Sequence, residues 1–157
     1  MNKILVAVIV LSFLLRLIIA VQPVDVLVQK TVLDDSFYYF SEAKGLASGN
    51  GITSNGVDPT NGLHPLWLFV IAPIFAIENL NLSVNLVLLL SSVIELASLL
   101  LIYKISRKFL PKAFSVLAVA LYGINPLIIM GTLSGMDVTL AVFMTALIFY
   151  SWIYKKN

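Results

Sequence analysis

Four polar side chains stand out in a chain of 157 residues that is 60% hydrophobic and only 11% charged. Asp34 and Asp35 are adjacent and open onto an aromatic run, T-V-L-D-D-S-F-Y-Y-F over residues 31–40. His64 is the only histidine and stands between a glycine-rich loop and the apolar segment that begins Pro65-Leu66-Trp67. Asp137 closes the short connection Ser134-Gly135-Met136-Asp137 between two apolar stretches. A carboxylate can take a proton from a hydroxyl, and a second can hold a hard divalent cation through oxygen. An imidazole can bind phosphate. Each residue also has a plainer use. Asp34 and Asp35 suit a helix N-cap and first turn, His64 suits an interfacial position near Trp67, and Asp137 immediately precedes Val138 as a cap would.

Composition says where such residues must work. Soluble domains carry about 25% charged residues, so this chain reads as an integral membrane protein. Its net charge of +2, without a basic stripe mixed with stacking aromatics, excludes a nucleic-acid partner. The absence of cysteine excludes disulfides, thiol catalysis and thiolate metal sites. No P-loop or dinucleotide-binding glycine pattern is present, so no soluble nucleotide site is expected.

The elements that must position these residues follow from the apolar runs. Ile4–Val21, behind Asn2 and Lys3, supplies about 18 residues, enough to span a hydrocarbon core of about 30 Å. Arg16 interrupts it, which disfavours a cleaved leader. Residues 22–62 are polar and hold Asp25, Asp34, Asp35, Glu42 and Asp58 with three Asn-Gly pairs. Within them Ser36–Ala47 is expected to form a short helix with Tyr39, Ala43 and Leu46 on one face, suited to lie along the membrane surface. Pro65–Ile77 covers only about 20 Å as a helix, and Pro73 is expected to break it. Ser83–Tyr103, Ala113–Met130 and Val138–Ile153 are each of near-spanning length, and Tyr122-Gly123-Ile124-Asn125-Pro126 predicts a kink. Arg16 and Glu95 are charges inside spans, which face a bundle interior or a cavity; their depths argue against direct contact.

Positive charge sets the topology, because Lys and Arg near helix ends favour the cytoplasm. If Pro65–Ile77 crosses, the cluster Lys104, Arg107, Lys108 and Lys112 falls outside while Lys3 is inside. If it does not cross, Lys3, that cluster and Lys155-Lys156 all fall inside, and the acid-rich loop and Asp137 fall outside. The expectation is therefore a single all-α integral membrane domain over 1–157 with four spanning helices (1–21, 83–103, 113–130, 138–153). The outer loop, 22–82, carries one or two juxtamembrane, non-spanning helices. Asp34, Asp35, His64 and Asp137 then share the outer side.

The stretches D-D-S-F-Y-Y-F-S-E-A-K-G-L-A-S-G-N-G, T-N-G-L-H-P-L-W and S-G-M-D-V-T-L together resemble the N-terminal part of GT-C-type membrane glycosyltransferases. These include protein mannosyltransferases, aminoarabinose transferases and arabinofuranosyltransferases that use polyprenyl-phosphate sugars. The resemblance covers nearly all of the chain. It implies that Asp34 is the catalytic base and that Asp35 supports it or helps bind a cation. It implies that His64 contacts the lipid phosphate and that Asp137 lines the same site, with Arg16 also lining it. A divalent cation, Mg or Mn, would be held by Asp35 and Asp137. The implied partners are a polyprenyl-phosphate-sugar donor, the lipid bilayer, and a second chain or further C-terminal helices, since members of the family are several times longer. The implied location is the plasma membrane of a bacterium or archaeon, with the N-terminus cytoplasmic and the active loop outside. Two other readings stand beside this one. One is a non-catalytic membrane protein that binds a lipid phosphate or partner helices. The other is a small transporter fragment with Arg16 and Glu95 on a polar path.

Overall fold

The computed structural model describes residues 3–155; Asn2 and Lys156, which flank the first and last apolar runs, lie outside the described residues. Eight helices follow in order: α1 (Lys3–Ala20), α2 (Val24–Lys30), α3 (Ser36–Ala47), α4 (Pro65–Phe75), α5 (Leu80–Ser106), α6 (Lys112–Gly123), α7 (Pro126–Thr132) and α8 (Val138–Lys155). Three of them, α1, α5 and α8, are long and apolar enough to cross a membrane, and α6 with α7 would make a fourth if the bent pair is one span. The chain is thus an all-helical protein of membrane type.

Two apolar clusters, one at each end of the bundle, hold these helices together. At one end Leu5 of α1 packs with Leu99 of α5 and with Val116 and Val119 of α6. At the other, Ala20 and Leu27 join Tyr39, Phe40 and Ala43 of α3, Trp67, Leu68, Ile71 and Phe75 of α4, Val84, Val87 and Leu88 of α5, and Leu133. The start of α1 therefore meets the end of α5, and the end of α1 meets its start. Asn85 fixes the second junction by donating to the carbonyls of Ala20 at 2.6 Å and Gln22 at 3.0 Å, two groups that the end of α1 leaves without helical partners. At the opposite end the Tyr154 hydroxyl donates to the Lys104 carbonyl at 3.2 Å, so α5 and α8 run the same way.

One local expectation, the kink at Tyr122–Pro126, is met, and three others are corrected. The expected span at 113–130 is two helices bent by 59°, because Pro126 cannot donate to an α6 carbonyl; the Asn125 side chain instead accepts from Leu127 N at 2.9 Å and starts α7. Pro73 does not break α4 but lies inside it, near its C-terminal end, where few helical bonds remain to be lost. Helix α3 has the expected bounds, but it does not offer its apolar face to lipid: Tyr39, Phe40 and Ala43 are buried in the cluster with α4. Finally, Arg16 and Glu95 do meet, with Nη2 and Oε1 4.0 Å apart and both side chains buried. A long helical side chain points back toward its own N-terminus. Arg16 accordingly folds down one turn, donating from Nη1 to the Ser12 carbonyl at 3.0 Å and the Ser12 hydroxyl at 2.6 Å, and so reaches the level of Glu95.

Arg16 also donates from Nη1 to the Gly123 carbonyl at 2.8 Å, and the Ser12 hydroxyl donates to the same carbonyl at 2.8 Å. Arg16 Nε reaches Thr132 Oγ1 at 3.4 Å. The guanidinium therefore satisfies the backbone oxygen at the α6–α7 break and ties α1 to both halves of the bent pair. Removing one member of a buried pair leaves the other charge without compensation, a loss of about 3–5 kcal/mol. Arg16→Met is expected to lower the unfolding temperature in detergent sharply, and Arg16→Met combined with Glu95→Leu to lower it less. A double variant no more stable than the single one would contradict the pairing.

Candidate functional site at the turn between α7 and α8

The site is assembled on the turn Ser134-Gly135-Met136. Gly135 has φ +83°, a left-handed conformation open to glycine because it has no Cβ. A Cβ there would lie 2.8 Å from Phe40 Cζ and 2.9 Å from Ser36 Cβ. The close approach lets α3 dock on the turn. Leu33 N donates to the Ser134 carbonyl at 3.1 Å, and the Ser36 hydroxyl donates to the same oxygen. From α4, Trp67 Nε1 donates to the Gly135 carbonyl at 3.1 Å. A single turn thus binds the start of α3, the first turn of α4 and the start of α8, and each of these elements carries one of the sequence-predicted polar residues.

His64 and Asp137 are brought together. His64 precedes Pro65, which favours an extended backbone before it, and it has φ −92° and ψ 104° with no side-chain capping bond. Its ring is free to turn toward α8, where Nδ1 lies 3.0 Å from Asp137 Oδ2. The Tyr39 hydroxyl lies 2.7 Å from the same nitrogen and accepts from the His64 backbone N–H at 3.2 Å. A protonated Nδ1 can donate to the Asp137 carboxylate and a bare one can accept from the Tyr39 hydroxyl, so both partners hold the ring through this nitrogen. His64 remains 69% exposed at the side chain, whereas Asp137 is 21% exposed. The two line a small cavity of about 120 Å³ with Leu66, Trp67, Leu140, Ala141 and Met144. A polar mouth above apolar walls suits an amphipathic ligand.

Asp34 and Asp35 are both exposed at the start of α3. The capping use is not realised at Asp35, which has helical backbone angles and makes no side-chain cap bond. Asp34 lines a separate cavity of about 390 Å³ with residues 28–33, Met130, Gly131 and Ser134. His64 and Asp34 therefore do not line one cavity. Asp35 lies on the Tyr39 side: its charge, with those of Asp137 and Glu42, acts on the Tyr39 phenol. Burial raises the Tyr39 pKa most, the bond from the His64 backbone opposes the rise, and the three carboxylates add to it. Arg16 makes its polar contacts inside the bundle with Ser12, Gly123, Thr132 and Glu95, and with none of Asp34, Asp35, His64 and Asp137. Among the described residues no group of three or more His, Asp or Glu side chains could hold a metal ion.

Sequence reasoning missed Tyr39 as a site residue, placing it on an apolar helix face; its position one turn after Asp35 is the signal that was available. It also missed the Trp67 N–H and the Ser36 hydroxyl, whose roles depend on a turn 68 and 98 residues away. The fold and site together define an all-α protein with membrane-spanning character and a carboxylate–imidazole pair at one end of its bundle. No protein-family profile, curated protein or solved structure matches the chain.

Gly135→Ala is expected to cost about 2–4 kcal/mol, from left-handed strain and overpacking against Phe40. Gly131→Ala, whose new Cβ would meet only Val138 Cγ1 at 4.0 Å, is expected to be close to neutral. Thermal unfolding in detergent separates the two, and equal effects would contradict the docking role of Gly135.

Glu42 is 2% exposed with Oε2 unpartnered, and burial pushes its carboxyl above the usual carboxylate range. The native state then holds this proton more tightly than the unfolded chain. The contribution is full below the unfolded value and is lost as pH rises through the folded one. Glu42→Gln is therefore expected to gain stability over the parent at pH 8 and to lose that gain toward pH 4. A gain independent of pH would contradict it.

Proposed function

We propose that the chain is the N-terminal catalytic part of a GT-C-type membrane glycosyltransferase that transfers a sugar from a polyprenyl-phosphate donor to an acceptor hydroxyl on the outer side of the membrane. One observation carries the proposal: His64 and Asp137, far apart in sequence, meet at 3.0 Å above an apolar slot, on the turn that also docks the start of the Asp34–Asp35 helix. The arrangement of helix ends supports a topology of four spans with α4 not crossing. Lys3, Lys104, Arg107, Lys108, Lys112 and Lys155 gather at one end, while α2, α3 and α4 stay at the other, between the end of α1 and the start of α5. Under the charge rule the basic end is cytoplasmic, in the plasma membrane of a bacterium or archaeon, and the site faces outward.

In this reading Asp34 takes the acceptor hydroxyl proton as that oxygen attacks the anomeric carbon from the face opposite the phosphate. The new glycosidic bond forms as the bond from the anomeric carbon to the phosphate oxygen breaks. The electron pair leaves with the lipid phosphate, and the configuration inverts. His64, held through Nδ1 by Asp137, directs Nε2 at the phosphate; as the imidazolium it donates there and offsets the developing charge. Asp35 supports the base. A divalent cation, if the complete assembly uses one, would add charge at the phosphate, and no step here depends on it. The acceptor must bridge from the Asp34 cavity to the phosphate, a task for additional helices or a second chain.

The separate cavities of Asp34 and His64 favour a second reading, a membrane protein that binds a lipid phosphate without turnover. Undecaprenyl phosphate binding to the purified protein, with and without substitutions, tests both. His64→Ala is expected to weaken binding at least tenfold, and Asp34→Asn to leave it within about twofold. In an assembly that turns over, Asp34→Asn is expected to lower kcat by at least a hundredfold. Binding insensitive to His64→Ala would refute both readings. Full turnover by Asp34→Asn would refute Asp34 as the base, and lipid-phosphate binding with no turnover in the complete assembly would leave only the binding reading.

A further inference from the structure

A groove lies at the opposite, basic end of the bundle, and its reading does not depend on the glycosyltransferase proposal. Helices α1 and α6 diverge there and leave a groove of about 530 Å³ lined by Ile4, Val8, Ala113, Val116, Leu117 and Ala120, with Lys112 at its rim. Lys112 opens α6 directly after Pro111, and the small side chains of Ala113 and Ala120 leave room beneath it. A groove of similar size between α5 and α8, about 440 Å³, is lined by Ile102, Ile105, Ala141, Val142, Thr145, Ala146 and Phe149 and has no charged residue. The two grooves are both apolar, so the cation is what distinguishes them.

The charge around Lys112 is uncompensated. Among the described residues the ion pairs are Arg16–Glu95 and His64–Asp137, and neither involves a residue of the α5–α6 connection. Lys104 and Lys108 lie over the rings of Tyr150 and Tyr154, at 5.3 Å and 4.6 Å, and Arg107 donates to the Leu110 carbonyl at 2.7 Å. Each thus keeps its full charge beside an aromatic ring or a carbonyl. Between them Phe109 and Leu110 are exposed, Phe109 by 70%. Exposed apolar residues flanked by basic ones suit the boundary between acyl chains and headgroups.

We propose that the α1–α6 groove is a binding site for an anionic phospholipid, with one acyl chain lying along Val8, Val116 and Leu117 and the headgroup phosphate on Lys112. Charge complementarity selects this occupant over a further helix: Lys112 stands exposed at the end of an apolar groove, where a lipid phosphate supplies a counter-ion that an apolar helix lacks.

Native mass spectrometry of the detergent-purified protein tests the site, using phosphatidylglycerol and phosphatidylcholine with the same acyl chains. The parent is expected to retain phosphatidylglycerol at least fivefold over phosphatidylcholine. Lys112→Gln is expected to bring the ratio near one, and Lys112→Arg to keep it. Ala113→Phe, which fills the groove, is expected to lower retention of both lipids, whereas Thr145→Phe in the uncharged groove is expected to leave the ratio unchanged. Because the chain has no native cysteine, Ala113→Cys reports a protein neighbour by disulfide cross-linking. No preference in the parent, a preference that survives Lys112→Gln, or efficient Ala113→Cys cross-linking would each overturn the proposal.

Discussion

The geometry of the end of the bundle that carries His64 and Asp137 rests on the absence of a side chain at Gly135. Its left-handed turn lets α3 approach until a single added carbon would collide with both Phe40 and Ser36. The two carbonyls of the turn then take the hydrogen bonds of Leu33, Ser36 and Trp67. These bonds are buried and neutral, so each is expected to contribute about 1 kcal/mol. Their combined effect is positional. They fix where Asp137 starts α8 relative to His64 at the head of α4 and to the acidic pair at the head of α3.

A second constraint lies deeper. The two apolar clusters are separated by a polar layer of Ser12, Arg16, Glu95, Gly123 and Thr132. Such a layer is costly in an apolar bundle unless its members satisfy one another. Here the break between α6 and α7 exposes the Gly123 carbonyl and Arg16 fills the need. Beyond the 59° bend, Ile129 and Leu133 pack into the cluster of α3 and α4, which delivers the Gly135 turn to α3. The buried charge thus serves the position of the site without lining it.

Much of this was legible in the sequence because membrane helices announce themselves by length and apolarity. The bounds of α3 and the Gly-Ile-Asn-Pro kink followed from local chemistry, and charge at the helix ends placed the acidic loop and Asp137 together. The misses have a common physical cause. Whether Arg16 reaches Glu95 depends on a side-chain direction that sequence depth alone does not convey. Whether Tyr39 serves the core or His64 depends on a helix packed against it from elsewhere in the chain. Pro73 was overweighted because a proline near a helix end disturbs few bonds. The pairing of His64 with Asp137 was legible only as a shared side of the membrane, and the separation of Asp34 into its own cavity was not legible at all.

The proposed role of His64 requires that Asp137, brought to the imidazole by the Gly135 turn, hold a proton on Nδ1. As the sole histidine, His64 gives a single pair of imidazole nitrogen signals in a uniformly 15N-histidine-labelled sample. The nitrogen shifts of the neutral ring report the tautomer directly. The account predicts the Nδ1–H form in the parent protein and its loss in Asp137→Asn. A predominant Nε2–H form in the parent, or a tautomer unaffected by Asp137→Asn, would contradict it.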